Sequence, residues 1–154
     1  MKPEFQLLKL EQLQSATQAF AALLNNRPPK RGWLKEIREA LGRTERQQAQ
    51  LLGITGPTLH KSEAAEAEGR ITLAQLRKLG DGLDCELVYA LVPRKPLGDM
   101  VNERALELAK KEVMGVAHTM SLEDQRPSDA RLQKQLERRK DELLRGKWSK
   151  LWRP

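Results

Sequence analysis

The chain has 154 residues, a formal net charge of +7 and a sequence pI of about 9.8, and aromatic residues make up only 4% of it. The basic balance fits a polyanionic partner such as nucleic acid, and a core so poor in aromatics must be largely aliphatic. A single cysteine, Cys85, excludes an internal disulfide; no apolar run approaches the ~20 residues of a membrane span; and the first residues lack a signal-peptide pattern. A cytoplasmic, nucleoid-associated protein without membrane contact is expected.

Residues 4–25 are predicted helical, because Leu10, Leu13, Phe20 and Leu24 recur three and four apart with Thr17 filling the gap. That narrow stripe would pack on the rest of the chain or on a second copy. Asn25, Asn26, Arg27, Pro28 and Pro29 break the helix and mark a linker, so residues 1–29 form a first segment.

Residues 30–93 carry the strongest local signals. Trp33, Leu34, Ile37 and Leu41 make the inward stripe of a short helix stopped by Gly42. Thr44 then reads as an N-cap with Gln47 three residues on, the pattern of a capping box. Ala49 and Leu52 face inward, Ala49 being small enough for close helix approach. Gly53 ends the helix in a left-handed conformation, and Thr55 caps the next one with Pro57 in its first turn. Ile54 and Leu59 are spaced as a hydrophobic staple. The grammar repeats at Thr72 and Gln75, with Ile71 and Leu76 as the staple and Leu73, Leu76, Leu79 and Leu83 as the stripe.

A helix, a glycine stop, one apolar turn residue, a cap and a second helix make a helix-turn-helix, which seats one helix across the phosphate backbone and the next in the major groove. The candidate DNA-binding residues are Arg43, Thr44 and Arg46 at the start of the first helix, and Thr55, Gly56, Thr58, His60 and Lys61 on the second. Arg43, Arg46 and Lys61 suit phosphates. Thr55 is as well explained by capping alone.

Residues 85–92 (Cys85, Glu86, Leu87, Val88, Tyr89, Ala90, Leu91, Val92) are predicted to form one β-strand ending at Pro93. A lone strand leaves its backbone groups unpaired. It would pair with its counterpart in a homodimer through Leu87, Val88, Tyr89 and Leu91, or with the edge of another protein. Residues 94–154 form a helical arm. Val101, Ala105, Leu108, Ala109, Val113, Val116 and Ala117 line one face of a helix over 97–118, and a thinner helix runs from Asp129 to Leu144 with Leu132, Leu136, Leu143 and Leu144. The basic tail carries Trp148 and Trp152, as a docked tail or as an interaction hook.

The chain shows no nucleophile motif and no phosphate-binding glycine loop. His118, with Glu123 and Asp124 nearby, lacks a second histidine or a cysteine cluster, so a structural role in a turn outweighs metal binding or base catalysis. No catalytic residue, metal or cofactor is expected.

With these residues in place, the chain resembles the Xre-type, Cro/repressor-like helix-turn-helix regulators, and more closely the mobile mystery protein A family. The matching pieces are Arg31, Gly32 and Trp33; residues 37–42; Lys61 to Leu73, ending Gly69, Arg70, Ile71, Thr72, Leu73; residues 85–93; and residues 118–125. The last two blocks are absent from the general helix-turn-helix class. The resemblance implies a mainly α fold: a Cro/repressor-like domain with an N-terminal helix, one dimerising β-strand and a C-terminal helical arm. It implies a regulator carried on mobile DNA, autorepressing and antitoxin-like, partnered with a Fic-domain protein. The chain departs from the class at Glu45, Gln48, Gly56 and Ser62, where Gln, Leu, Gln and a large apolar residue are common. Loss of Gln at 56 removes an adenine-reading side chain. The inhibitory pattern of Fic partners is approached at Ser62, Glu66 and Ala67, but Ala67 breaks it.

Two readings follow. One is a sequence-specific transcriptional regulator that binds double-stranded DNA at its own operator. The other is a protein-interaction module that binds and neutralises a partner enzyme with little DNA binding.

Overall fold

The computed structural model describes residues 2–122 and 127–154. Its regular elements are α1 (Pro3–Gln18), α2 (Trp33–Ala40), α3 (Glu45–Leu52), α4 (Gly56–Ala67), α5 (Leu73–Asp81), α6 (Leu97–Leu122) and α7 (Asp129–Arg145), with short 3₁₀ turns at Ala21–Asn25 and Trp148–Lys150. The chain divides into two units, residues 22–90 and residues 1–21 with 91–154. The mainly α class expected from the sequence is what forms.

In the helix-turn-helix unit, residues 22–90, Leu34 of α2, Ala49 of α3, Leu59 of α4, and Leu79 and Leu83 of α5 and its following turn make one buried core. Ile37, Leu52, Ile54, Ile71 and Leu76 pack around it, so both sequence-predicted staples point into the same cluster. Each fully buried leucine contributes on the order of 2 kcal/mol of transfer free energy, which makes this cluster the main glue of so small a unit. The predicted stripes are not wholly inward. Trp33, Leu41 and Leu73 are about half exposed, because on such short helices only two or three positions reach the core.

The predicted β-strand does not form, and with it goes the dimerising strand through Leu87, Val88, Tyr89 and Leu91. Residues 85–92 have no regular structure, and none of the described residues is in a strand. The reason is pairing: a ladder needs a second extended segment, and every other long segment of this chain is helical. The partial alternation in the sequence has another origin. Cys85 packs on the core and Leu87 is half-buried, whereas Glu86, Val88 and Tyr89 are exposed. The chain leaves α5 through a turn in which the Cys85 N–H donates to Gly80 O at 3.0 Å and Asp84 adopts a left-handed φ of 56°. Aspartate tolerates that conformation better than most side chains.

In the second unit, α6 and α7 pack along one another. Ala105, Ala109 and Ala117 of α6 and Leu132 and Leu136 of α7 are buried, the alanines allowing close approach. The ion pair Arg139–Glu112 joins the same two helices. The tail docks: Leu151 is buried with Val101 and Ala105, and Arg104 Nε donates to Leu151 O at 2.7 Å. Trp148 packs on that cluster and its Nε1 donates to Leu144 O at 2.8 Å, while Trp152 stays exposed.

The predicted helix over 4–25 is shorter, ending at Gln18. The Thr17 hydroxyl donates back to Leu13 O at 2.8 Å, and the Phe20 N–H donates to Thr17 O at 3.0 Å, an i−3 bond that tightens the last turn. Leu10 alone of the proposed stripe packs on the α6 cluster; Leu13 and Leu24 are exposed. The end of the 118–125 block, Glu123, Asp124 and Gln125, lies outside the described residues.

Candidate nucleic-acid interface

The site begins with caps. Thr44 Oγ1 accepts from the Gln47 N–H at 3.2 Å, and Gln47 Oε1 accepts from the Thr44 N–H at 2.9 Å, closing the capping box of α3. Gly53 ends α3 at φ 67°, a left-handed value that costs a side chain about 1–2 kcal/mol, and the Ile54 N–H closes the turn on Ala49 O at 3.0 Å. Thr55 Oγ1 then accepts from the Thr58 N–H at 3.2 Å and lies 2.7 Å from Thr58 Oγ1, so both hydroxyls serve the start of α4. Three residues of turn thus fix the angle between α3 and α4.

Of the sequence-predicted contacts, Thr44, Arg46, Thr55, Thr58, His60 and Lys61 are exposed. Lys61 and Arg46 make no hydrogen bond or ion pair among the described residues, which leaves both charges free for phosphate. Arg43 is differently placed. It is half-buried, and its Nη1 donates to Gln48 Oε1 at 3.0 Å and to Gly82 O at 3.2 Å. Gln48 Nε2 donates to the same carbonyl at 3.0 Å, so the buried amide is engaged at both ends, by Arg43 and by the turn after α5. Arg70 pairs with Glu68. Gly56 opens α4 with no side chain, and a Cβ built there meets nothing within 4 Å.

Sequence reasoning missed three charged residues that hold α4 in place. Arg38 of α2 is buried and donates from Nε to Glu63 Oε1 at 2.6 Å and from Nη2 to Glu63 Oε2 at 3.1 Å. Its Nη1 donates to Arg43 O at 2.8 Å. The hydrogen bond to Glu63 raises the Arg38 pKa against the opposing effect of burial. Glu66 reaches from α4 to the start of α2, accepting from the Trp33 N–H at 2.8 Å and the Leu34 N–H at 2.9 Å. Gly32, the residue before α2, has no side chain to cap with, and a carboxylate from another helix takes the role. The signal was present: Arg38 stands four residues after Leu34, and Glu63 four after Leu59, both at core-facing spacing.

On the outer side, His60 Nδ1 lies 2.9 Å from Glu45 Oε1. The hydrogen bond to His60 is the main cause holding the Glu45 carboxyl below its ordinary range, with Arg38 and Lys35 adding attraction. No group of three or more His, Cys, Asp or Glu among the described residues is arranged to hold a metal ion. No helix among them is long and apolar enough to cross a membrane. Comparison with known proteins adds no relative, since no family model, curated protein or solved structure matches the chain.

Proposed function

We propose that the chain is a sequence-specific DNA-binding transcriptional regulator acting in the cytoplasm on its own operator. The supporting observation is the α3–turn–α4 unit, capped at Thr44 and Thr55, which turns Thr58, His60 and Lys61 outward on one helix beside the unpaired Arg46. Such a helix fits the major groove, and the net charge of +7 supplies the attraction to phosphate. One such helix reads only a few base pairs, so the proposal includes a homodimer on a two-fold operator. The resemblance to the mobile mystery protein A family extends the proposal to autorepression and to an antitoxin-like pairing with a Fic-domain protein. The test is a gel shift with the duplex just upstream of the chain's own start codon, against an excess of unrelated duplex. Retention that survives the competitor is expected; equal displacement of both duplexes would end the claim of sequence specificity.

One observation favours the second reading. Gly56 places no side chain at the start of α4, where a base-reading group is common in the class. An interaction module that neutralises a partner enzyme would bind the neighbouring gene's product without retaining DNA, and co-purification alongside the gel shift separates the two.

A further inference from the structure

Resting on the DNA-binding reading, we propose that Glu45 makes His60 a hydrogen-bond acceptor in the major groove, so that His60 selects a base carrying an exocyclic amino group, adenine or cytosine. The selection turns on which ring nitrogen carries the proton. A carboxylate only accepts, so the 2.9 Å contact between Glu45 Oε1 and His60 Nδ1 requires the proton on Nδ1. In the neutral ring Nε2 is then a bare lone pair. Nε2 has no partner among the described residues, and the side chain is 64% exposed. A free neutral imidazole favours the opposite tautomer, which would donate from Nε2 to guanine, thymine or adenine N7 and reject cytosine. In the major groove adenine and cytosine offer amino donors, whereas the acceptors are N7 of guanine and of adenine, O6 of guanine and O4 of thymine, so cytosine alone offers no acceptor. Glu45 therefore sets the sense in which His60 reads.

Glu45 is itself held for this task. It is the first residue of α3, where the helix dipole favours a carboxylate. Arg38 Nη2 lies 3.9 Å from its Oε1, and Arg38 is anchored by Glu63 on the same helix as His60. The line Glu63–Arg38–Glu45–His60 thus runs from the buried side of α4 through α2 and α3 and back to its outer face. Glu45 is a positioning residue; it repels phosphate and touches no base.

The experiment has two readouts on the full chain. The first is a long-range proton–nitrogen correlation spectrum of protein carrying ¹⁵N-histidine at pH 8, where a histidine ring is ordinarily neutral. His60 is expected to show the proton on Nδ1, and Glu45→Ala to return it to Nε2. The second is selection from a randomised duplex library by the wild type, Glu45→Ala and His60→Ala. The wild type is expected to enrich adenine or cytosine at one position of the site. Glu45→Ala should admit guanine and thymine at that position and deplete cytosine from it by about tenfold, the lower part of the effect of one mismatched pair. His60→Ala should erase the preference there and keep the rest. A wild-type ring protonated on Nε2 overturns the proposal, as does an identical enriched site in wild type and His60→Ala; both leave the DNA-binding reading standing. No enrichment by any of the proteins overturns both.

Discussion

Arg38 on α2 grips Glu63 on α4 through two hydrogen bonds, with side chains only 5% and 3% exposed. The pair ties α2 to the helix whose outer face carries the candidate contacts. Breaking one side leaves an uncompensated buried charge, at about 3–5 kcal/mol. Glu63→Leu is therefore expected to lower stability by that order in urea unfolding. Arg38→Met added to Glu63→Leu should recover most of the loss, because two apolar side chains of similar size need no partner. A double variant as unstable as the single one would show that the cost lies in packing.

Gly32 and Glu66 form a second coupled pair. Glu66→Ala removes the cap of α2 and is expected to cost about 1–2 kcal/mol. Gly32→Ala faces two penalties: φ is 83°, and the new Cβ would stand 2.7 Å from Glu66 Oε2, so the cap must move. In the Glu66→Ala background only the backbone penalty remains. Thermal melts of the four proteins should show the double variant more stable than the sum of the singles, and strict additivity would refute the contact.

Lys61→Ala and Arg46→Ala should each weaken duplex binding across sequences and flatten the plot of log affinity against log salt by about one unit. Gly56→Gln should be tolerated, since a Cβ there meets nothing within 4 Å, and should raise the preference for adenine at one position. Titrations by fluorescence anisotropy at several salt concentrations give both results. Slopes unchanged by either cation would place the phosphate contacts elsewhere.

The Glu45 carboxyl is held below its ordinary value of 4.5 by His60. A carboxyl whose folded pKa is depressed stabilises the fold above the unfolded pKa, and that contribution is lost as pH falls through the folded value. His60→Ala should move the Glu45 titration up toward 4.5, followed by the side-chain carboxyl carbon in NMR. Glu45 is 37% exposed and solvent screens it, so the shift is expected with little change in melting temperature at neutral pH. An unmoved Glu45 titration would remove His60 as the cause.

The two tryptophans of the tail separate by burial. Trp148→Ala should destabilise the α6–α7 unit by about 3 kcal/mol, because it empties a space beside Val101 and Leu151 and strips Leu144 O of its donor. Trp152→Ala is expected to be nearly neutral, as its ring is 56% exposed. Equal effects in denaturant titrations would contradict the docking of Trp148.

Caps, stops and staples were legible because each is local. Thr44, Gly53, Thr55 and Thr72 act within four residues of themselves, and the helices begin and end by them. The strand failed for the opposite reason: residues 85–92 have strand-like composition, but a ladder depends on a second segment that composition cannot supply. The arms of the site were legible as types of residue and not as partners. Arg43 read as a phosphate contact, yet one of its N–H groups is spent on Gln48 and Gly82, thirty-nine residues away for the latter. Glu45 stood out in the sequence only as a departure from Gln; its partner, His60, lies fifteen residues on and on the next helix.

The amide at position 48 joins three parts of the helical unit. A change to leucine would give α3 another aliphatic residue, and it would also release the Arg43 guanidinium from one of its two acceptors and leave the Gly82 carbonyl with one donor fewer. Gln48→Leu would therefore exchange two buried hydrogen bonds for aliphatic packing and leave Arg43 held by Gly82 O alone. Position 48 thus couples the end of α3, the Arg43 guanidinium and the turn after α5 through one amide, and a change there is felt at all three.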